Sequence, residues 1–324
     1  MKKLLTLAAS VLLTLSFISC GKKIDSSTWL SNFDDAKKAA QAENKKIFLF
    51  FSGDDFDTVS AQLKTNVLTT EEFVKEYTEK FVLVNLDFSN SRYTEDQDSI
   101  TEDIKLSELY NVESFPCFYI LSKEGYPITQ LAFDANADLD HVHITFTETD
   151  ESVAKFDELL EKTKSGSNQE RLAAINEIFD STSTDLVYHL TPLNKLYLSL
   201  DKKNETGECA KHLFALSYAK AQDFFLSNEI EKACAEFETL AKNKMLKDFE
   251  RQVAFYTAAF VLIQSQSNDY EKIRDYLQKS YDAAPDTEEA QTIKGAITQV
   301  QMMIDGEGDI PEQEMGPAEK PAQN

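Results

Sequence analysis

The four cysteines, Cys20, Cys117, Cys209 and Cys234, are the most reactive side chains of this sequence. Cys117 follows a proline in an apolar segment. A lone thiol there could form a mixed disulfide with a partner, although a free cysteine in such a segment is more commonly a small buried residue. Cys209 and Cys234 either pair in an oxidising compartment or remain buried as free thiols, and the sequence leaves both alternatives open.

Histidines and acidic residues form two candidate metal sites. His141 and His143 fall on one face of a predicted strand, and Asp54, Asp55 and Asp57 follow another predicted strand. The histidines lack further ligand spacing, and the aspartates lack the glycine and the distal glutamate of a calcium loop. We interpret the first group as a solvated strand edge and the second as a solvated helix N-terminus. We therefore predict no metal and no cofactor.

The N-terminal segment predicts export. Lys2 and Lys3 precede an apolar run that is shorter than the roughly 18 residues of a membrane-spanning helix. The run ends in Phe17-Ile18-Ser19-Cys20, which resembles a bacterial lipobox; the alternative is a plain secretory signal. The resemblance implies a signal peptide at 1–19, a tether at 20–28 lipidated on Cys20, and a lipoprotein anchored in a cell-envelope membrane, on the periplasmic side or the outer surface.

The charge of the chain excludes several classes of partner. It has 33 Lys and Arg against 56 Asp and Glu, which gives a formal net charge of −23. Nucleic-acid affinity comes largely from basic residues that neutralise phosphates, and recruitment to anionic lipid needs a basic patch. We therefore expect no nucleic-acid partner, and membrane attachment through Cys20 rather than through surface charge.

The first half of the chain alternates helices with short apolar strands. Buried-strand patterns occur at 46–51, 81–88, 118–121 and 129–133, and helical periodicity occurs at 33–43, 59–68, 71–80 and 99–110. Alternation of this kind predicts an α/β sandwich of three layers, in which helices cover both faces of a sheet.

Several motifs along residues 29–164 resemble those of the exported thioredoxin-like domain. They are Trp29, Phe51-Ser52-Gly53 after the first strand, Val82-Leu83-Val84-Asn85-Leu86-Asp87, and Val112-Glu113-Ser114-Phe115-Pro116. The resemblance implies a thioredoxin-like fold for 29–164. It also implies that Pro116 is a cis-proline facing the active-site turn, because cis peptide bonds are essentially confined to proline.

The matching turn lacks the two cysteines of active thioredoxin-like proteins. Where the family carries Trp-Cys-x-x-Cys, this chain has Phe56-Asp57-Thr58-Val59-Ser60, so Asp57 replaces the nucleophile and Ser60 the resolving thiol. Neither a carboxylate nor a serine hydroxyl exchanges disulfides, because that reaction needs a thiolate. We predict a degenerate redox site in which Asp57 caps the following helix.

The second half of the chain reads as all-helical. Helical runs are predicted at 169–179, 184–200, 207–226, 229–242, 248–265, 269–284 and 287–304. The segment 257–285 resembles one tetratricopeptide repeat, with Phe260 on its first helix, Ile273 and Leu277 on its second and Pro285 at its end. We assign 165–305 to a tetratricopeptide-like helical domain, with a generic bundle as the alternative, and 306–324 to a disordered tail.

These features predict a redox-inactive thioredoxin-like envelope lipoprotein that is not an enzyme and acts as a protein-binding or assembly module. We expect a protein or peptide partner. One alternative is an atypical thiol-disulfide oxidoreductase or isomerase that uses Cys117. Another is a structural scaffold in which only the helical domain binds. Fold by itself does not decide among these functions.

Overall fold

The computed structural model describes residues 28–95 and 97–306. The predicted signal peptide, the lipidation site at Cys20 and the predicted tail beyond residue 306 lie outside the described residues. The N-terminal region contains four strands: β1 (Lys46–Ser52), β2 (Phe81–Asp87), β3 (Cys117–Leu121) and β4 (Pro127–Leu131). Its helices are α1 (Phe33–Glu43), α2 (Thr58–Leu63, continued by a π-helical turn Lys64–Leu68), α3 (Glu71–Tyr77), α4 (Asn90–Glu95), α5 (Gln97–Leu109) and α6 (Leu139–Lys164).

The strands form one mixed sheet in the order β2-β1-β3-β4. The β1 strand pairs in parallel with β2 and antiparallel with β3, and β3 pairs antiparallel with β4. From Ile47 to Ser52 every residue of β1 is buried. A strand buried on both faces needs covering layers on both sides, which is why its sequence is a continuous apolar run and not an alternating one.

Alternate residues of β1 pack in two separate cores. Phe48 and Phe50 pack against α2, α3 and α6. Ile47, Leu49 and Phe51 pack against α1 and the end of α5. Successive side chains of a strand point to opposite faces, so one apolar run supplies both cores. The predicted three-layer α/β sandwich is confirmed.

The prediction of a strand at His141 and His143 is wrong. Both residues lie in the first turn of α6, where the Asp138 carboxylate accepts a hydrogen bond of 3.0 Å from the His141 amide. Val142, Phe146 and Phe156 are buried along this helix. Phe146 and Phe156 follow Val142 by four and fourteen residues, close to one and four helical turns, so the three lie on one buried face. This period outweighs the short alternation of the two histidines.

The C-terminal region is all-helical, as predicted. Its helices are α7 (Asn168–Ser181), α8 (Thr191–Leu200), α9 (Cys209–Leu226), α10 (Ile230–Ala241), α11 (Asp248–Gln264), α12 (Tyr270–Ala283) and α13 (Glu288–Asp305). The predicted single helix at 184–200 is instead a 3₁₀-helix, Thr184–Leu190, followed by α8. Pro192 in the first turn of α8 explains the break, because proline is favoured at helix starts and disfavoured within helices.

The 3₁₀-helix joins the two regions. The Tyr188 hydroxyl donates to the carbonyl of Leu109 at the end of α5, and His189 Nε2 lies 2.9 Å from the same oxygen. The His189 ring also stacks on Tyr110, with 4.3 Å between ring centroids. No helix in the described residues combines the length and the apolar character that a membrane-crossing segment needs.

A buried histidine organises the start of the helical region. The His212 side chain is fully buried, with Nδ1 2.8 Å from the side-chain oxygen of Asn194 and Nε2 2.8 Å from that of Asn176. Its ring stacks on Tyr197 at 3.8 Å. Burial lowers the pKa of His212 to about 3, since the protonated ring would lose its hydration. Burial likewise lowers the pKa of His189 to about 4.

Both histidines should make stability fall in mild acid. In the unfolded chain each titrates near its ordinary pKa of about 6.5, so between that pH and the lower native pKa the unfolded state binds more protons. The stability they support is complete above pH 6.5 and decreases as the pH falls. Each histidine contributes a slope that approaches about 1.4 kcal/mol per pH unit.

Urea unfolding between pH 6.5 and pH 5 measures this slope. We expect His212→Gln to reduce it by about one histidine's contribution, whatever its effect on absolute stability. The matched control is His141→Gln, because the His141 side chain is exposed on α6. An unchanged slope in His212→Gln would show that His212 is not buried as a neutral ring.

Candidate functional site

The turn after β1 is built around Asp57 and Ser60, the two residues that stand where the thioredoxin-like resemblance implies cysteines. The Asp57 carboxylate accepts a 2.7 Å hydrogen bond from the Ser60 amide and so caps α2. Ser60 is fully buried, and its hydroxyl accepts a 3.3 Å hydrogen bond from the Gly53 amide. Both side chains therefore hold the loop against the helix, and this turn presents no thiol.

An exposed phenylalanine covers this turn. The Phe56 side chain is 54% exposed, and its ring lies against Gly53 so closely that a Cβ atom on Gly53 would be 2.3 Å from it. Glycine is therefore required at position 53 for the ring to adopt this position. Phe56 stands one residue before Asp57, where the resemblance implies a tryptophan.

The cis-proline lies beside this ring. The Phe115–Pro116 peptide bond is cis, directly before β3. The Phe115 ring meets Phe56 edge to face, with 5.6 Å between centroids and 75° between planes, and it contacts Phe88 at 5.2 Å. We call Phe56, Phe88, Phe115 and Pro116 the aromatic edge. The sequence pattern does not group the three phenylalanines, although Phe56 and Phe115 each lie inside a motif of the thioredoxin-like resemblance.

Backbone and side-chain partners bind most carboxylate oxygens around the turn, whereas Asp54 Oδ1 is buried without a hydrogen-bond partner. The Asp55 carboxylate accepts from the Asn90 amide at 2.8 and 3.0 Å, and Asp54 pairs with Lys64. No group of three or more His, Cys, Asp or Glu side chains within the described residues is arranged to hold a metal ion. These aspartates therefore serve as loop anchors in the structure.

Cys117 follows the cis-proline but lies away from the turn. Its side chain is 6% exposed and packs in the core beneath α1 and α5, on the face of the sheet opposite α2. The Gln130 amide donates to its sulfur at 3.3 Å. Burial raises the pKa of Cys117, so the thiol is less readily converted to the nucleophilic thiolate.

The other two described cysteines are also free and buried. The Cys209 thiol donates to the carbonyl of Asp201 at 3.3 Å, and Cys234 packs in the core of the helical region. Burial raises the pKa of each to about 11. Of the two alternatives for this pair, the structure shows separate buried thiols.

His141 and His143 diverge on the first turn of α6. His141 Nδ1 lies 2.6 Å from the Asp138 carboxylate in solvent. His143 Nδ1 lies 2.9 Å from the Tyr77 hydroxyl, and its Nε2 lies 3.0 Å from the Glu76 carboxylate. Each ring thus has its own local partner on the surface.

Comparisons with known proteins support a thioredoxin-like N-terminal region. Residues 33–133 match the family model described as a thioredoxin-like domain, and residues 209–306 match one described as the C-terminal domain of an uncharacterised protein. The thioredoxin-related protein DsbJ of Chlamydia pneumoniae is 24% identical over 138 residues, which are 41% of this chain and 39% of that protein. The solved structure of a DsbH oxidoreductase covers 39% of this chain and 90% of its own, at 18% identity and a TM-score of 0.34.

These comparisons contradict our expectation that the chain is not an enzyme. The curated relative is named as a thioredoxin-related protein, and with the thioredoxin-like family model it points to a family of thiol-disulfide oxidoreductase type. The expectation rested on the missing cysteines at Asp57 and Ser60, and an absent motif at one turn excludes only the chemistry of that turn. The similarity to this relative supports a Dsb-like, redox-related role.

The burial of the thiols leads to a labelling prediction. At pH 7.5 the native protein should react with iodoacetamide at Cys117, Cys209 and Cys234 at least about 100-fold more slowly than the urea-unfolded chain, because alkylation requires an accessible thiolate. Mass spectrometry of the tryptic peptides measures each site.

Asp57→Cys is the matched positive control. Its thiol stands at the start of α2, where the helix dipole favours a thiolate, so it should label rapidly in the native state. Rapid native labelling of Cys117 would contradict the buried placement.

The double variant Asp57→Cys with Ser60→Cys should also reduce insulin disulfides, since it restores two thiols at the spacing that the chemistry needs.

Proposed function

We propose that this chain is a Dsb-related thioredoxin-like protein that binds a segment of a protein partner at its aromatic edge. The observation that carries the proposal is the exposed Phe56 ring, held against Gly53 beside the cis bond of Phe115 and Pro116. An apolar side chain that packs on the exposed faces of Phe56 and Phe115 would gain burial, and an aromatic one would add about 0.5–1.5 kcal/mol beyond the buried area.

The backbone beside the edge supports binding of an extended segment. Residues 113–116 belong to no strand, because β3 begins at Cys117. Their peptide groups are therefore outside the sheet ladder, where a partner segment can pair with them as an added strand. Backbone pairing supplies affinity with little sequence preference, and the aromatic edge supplies preference for an apolar side chain.

The charge around the aromatic edge restricts which partner segments can bind there. Asp55, which precedes Phe56, and Glu113, two residues before Phe115, are both exposed. Exposed carboxylates repel acidic segments and attract basic ones. The partner segment is accordingly apolar with neutral or basic flanks.

The role we propose is binding within a thiol-disulfide pathway. Asp57 and Ser60 hold the turn that presents the aromatic edge, and any disulfide in the bound segment would exchange with thiols supplied by the partner. Support comes from the hydrogen bonds of Asp57 and Ser60 that hold the turn and from the thioredoxin-related name of a similar protein.

A second candidate function is thiol exchange by Cys117. Its position immediately after the cis-proline and the oxidoreductase name of one similar protein favour it. The Cys117 thiol is buried and its pKa is raised. This candidate function therefore requires the start of β3 to open and expose the thiol. A third candidate, binding by the helical region alone, predicts that changes at the aromatic edge have no effect.

We further propose export and membrane attachment through the lipidated Cys20. Similarity to Dsb-type proteins is in keeping with an envelope location. We also retain the division into residues 29–164 and 165–305 as a proposal for the domain boundary.

A binding experiment tests the first candidate. The probe is a fluorescent, S-alkylated and therefore permanently unfolded test protein, measured by anisotropy against the full chain in phosphatidylcholine nanodiscs. Phe56→Ala should weaken binding about tenfold, as loss of an apolar anchor of roughly 1.4 kcal/mol. Gly53→Ala should weaken it similarly, because its Cβ displaces the Phe56 ring without removing it.

Ile144→Ala is the matched control, since Ile144 is an apolar side chain of comparable exposure on α6. It should leave affinity within about twofold. Equal binding by the wild type and Phe56→Ala would contradict the proposal and favour the helical region. Disulfide isomerisation that disappears in Cys117→Ser would instead establish the second candidate.

A further inference from the structure

The helical region contains a groove that its own packing leaves open. Two cavities of about 650 and 580 Å³ lie along α9 and α11, and Tyr218 and Val253 line both of them. The smaller cavity is also bordered by the end of α7 and by the 3₁₀-helix. Because they share these walls, the cavities adjoin along the two helices. We call this surface the α9–α11 groove.

One wall of the groove is an exposed aromatic row on α11. Phe249, Tyr256 and Phe260 are 46%, 40% and 46% exposed, and Val253 stands between the first two. Their spacing of four, three and four residues places them on a single helix face. A helix face that is directed to water usually carries polar residues, so a continuous apolar row marks a surface that a partner covers.

The opposite wall and the floor combine large and small side chains. Phe214, Tyr218 and Phe225 stand along α9, while the buried Ala215 and Ala221 lie between them. The buried Phe237 of α10 forms part of the floor and meets Tyr218 edge to face at 5.0 Å. Alternation of aromatic and alanine side chains creates holes that side chains of another helix can enter.

The charged residues that line the groove are mainly acidic. Three acidic residues, Glu108, Asp180 and Glu250, and one basic residue, Lys211, line it. Lys211 is already paired, with its Nζ 2.7 Å from Asp180 and 3.2 Å from Glu208. The groove therefore offers apolar area with a negative rim, which favours a cationic occupant.

This charge argues against two occupants from the chain itself. Residues 307–324 contain five acidic residues and one lysine, and a second copy of the chain carries the same net charge of −23. Both would bring like charge to an acidic rim, and like charges across an interface disfavour association. A separate basic protein does not meet this repulsion.

We propose that the α9–α11 groove binds an amphipathic helix of a partner protein, with an apolar face and flanking Lys or Arg residues. The aromatic row from Phe249 to Phe260 spans about 16 Å at 1.5 Å per residue. A helix of about three turns matches that length, and its apolar residues enter the holes between the aromatic side chains of α9 and α11. This surface is separate from the aromatic edge, and the proposal does not depend on binding there.

Two synthetic peptides test the chemistry of the occupant. Each is a fluorescein-labelled helix of about 14 residues with a leucine face. One carries lysines on its polar face and the other carries glutamates. Against the full chain in phosphatidylcholine nanodiscs, we expect the lysine peptide to bind at least about tenfold more tightly than the glutamate peptide, with affinity that falls as salt rises.

Substitutions in the groove separate its apolar contribution from charge. Phe260→Asp and Tyr256→Asp should each weaken the lysine peptide about tenfold, although both add a negative charge that attracts it. Ile144→Asp on α6 adds the same charge at another exposed apolar residue and should leave affinity within about twofold. Phe56→Ala should also leave it unchanged, which separates this test from that of the aromatic edge. Circular dichroism confirms that each variant is folded.

Several results would overturn the proposal. Equal binding of the two peptides, or unchanged binding by both groove variants, would remove the groove as a site for a basic helix. A dimer in sedimentation experiments that Phe260→Asp dissociates would identify a second copy as the occupant. A rise of more than about tenfold in affinity on deletion of residues 307–324 would identify the C-terminal tail instead.

Discussion

The burial of β1 on both faces is the constraint on which the rest of the N-terminal region depends. Its continuous apolar run can be removed from water only if helices cover both sides of the sheet. Parallel pairing with β2 and antiparallel pairing with β3 then bring the end of β1 next to the start of β3. In this way a hydrophobic requirement places Gly53 and Phe56 beside Phe115 and Pro116, which are about 60 positions away in sequence.

Strand alternation also decides which chemistry is available at this edge. Cys117 pairs with Phe51, and both side chains belong to the core beneath α1 and α5. The neighbouring Phe118 points to the other core. The thiol adjacent to the cis-proline is consequently buried, while Asp57 and Ser60 fix the turn by hydrogen bonds. Where the thioredoxin-like resemblance implies a redox pair, the described site has two hydrogen-bonding side chains and an exposed aromatic ring, and our proposal of binding rests on this replacement.

The helical region has its own core, and one aromatic row lies outside that core. Its core is formed where α9 to α13 pack in sequence, and Phe237, Leu262 and Leu277 are buried there. The aromatic row on α11 faces away from that core and remains exposed, at a rim whose lining is mainly acidic. Net negative charge opposes association of such an apolar surface with further copies of the chain, so acidity and exposed aromatic side chains are compatible on one protein.

The sequence alone determined the strands, most of the helices and the acidic character, because continuous apolar runs, helical periodicity and composition are local properties. It also determined that no thiol stands at Asp57 or Ser60. It misassigned His141 and His143, since two alternating residues carry less information than the buried period from Val142 to Phe156. Only the tertiary structure decided that Phe56 and Phe115 meet, that Cys117 is buried, and that α9 and α11 leave a groove. Those features depend on which distant residues become neighbours and which face of each element is covered, and local pattern does not contain that information.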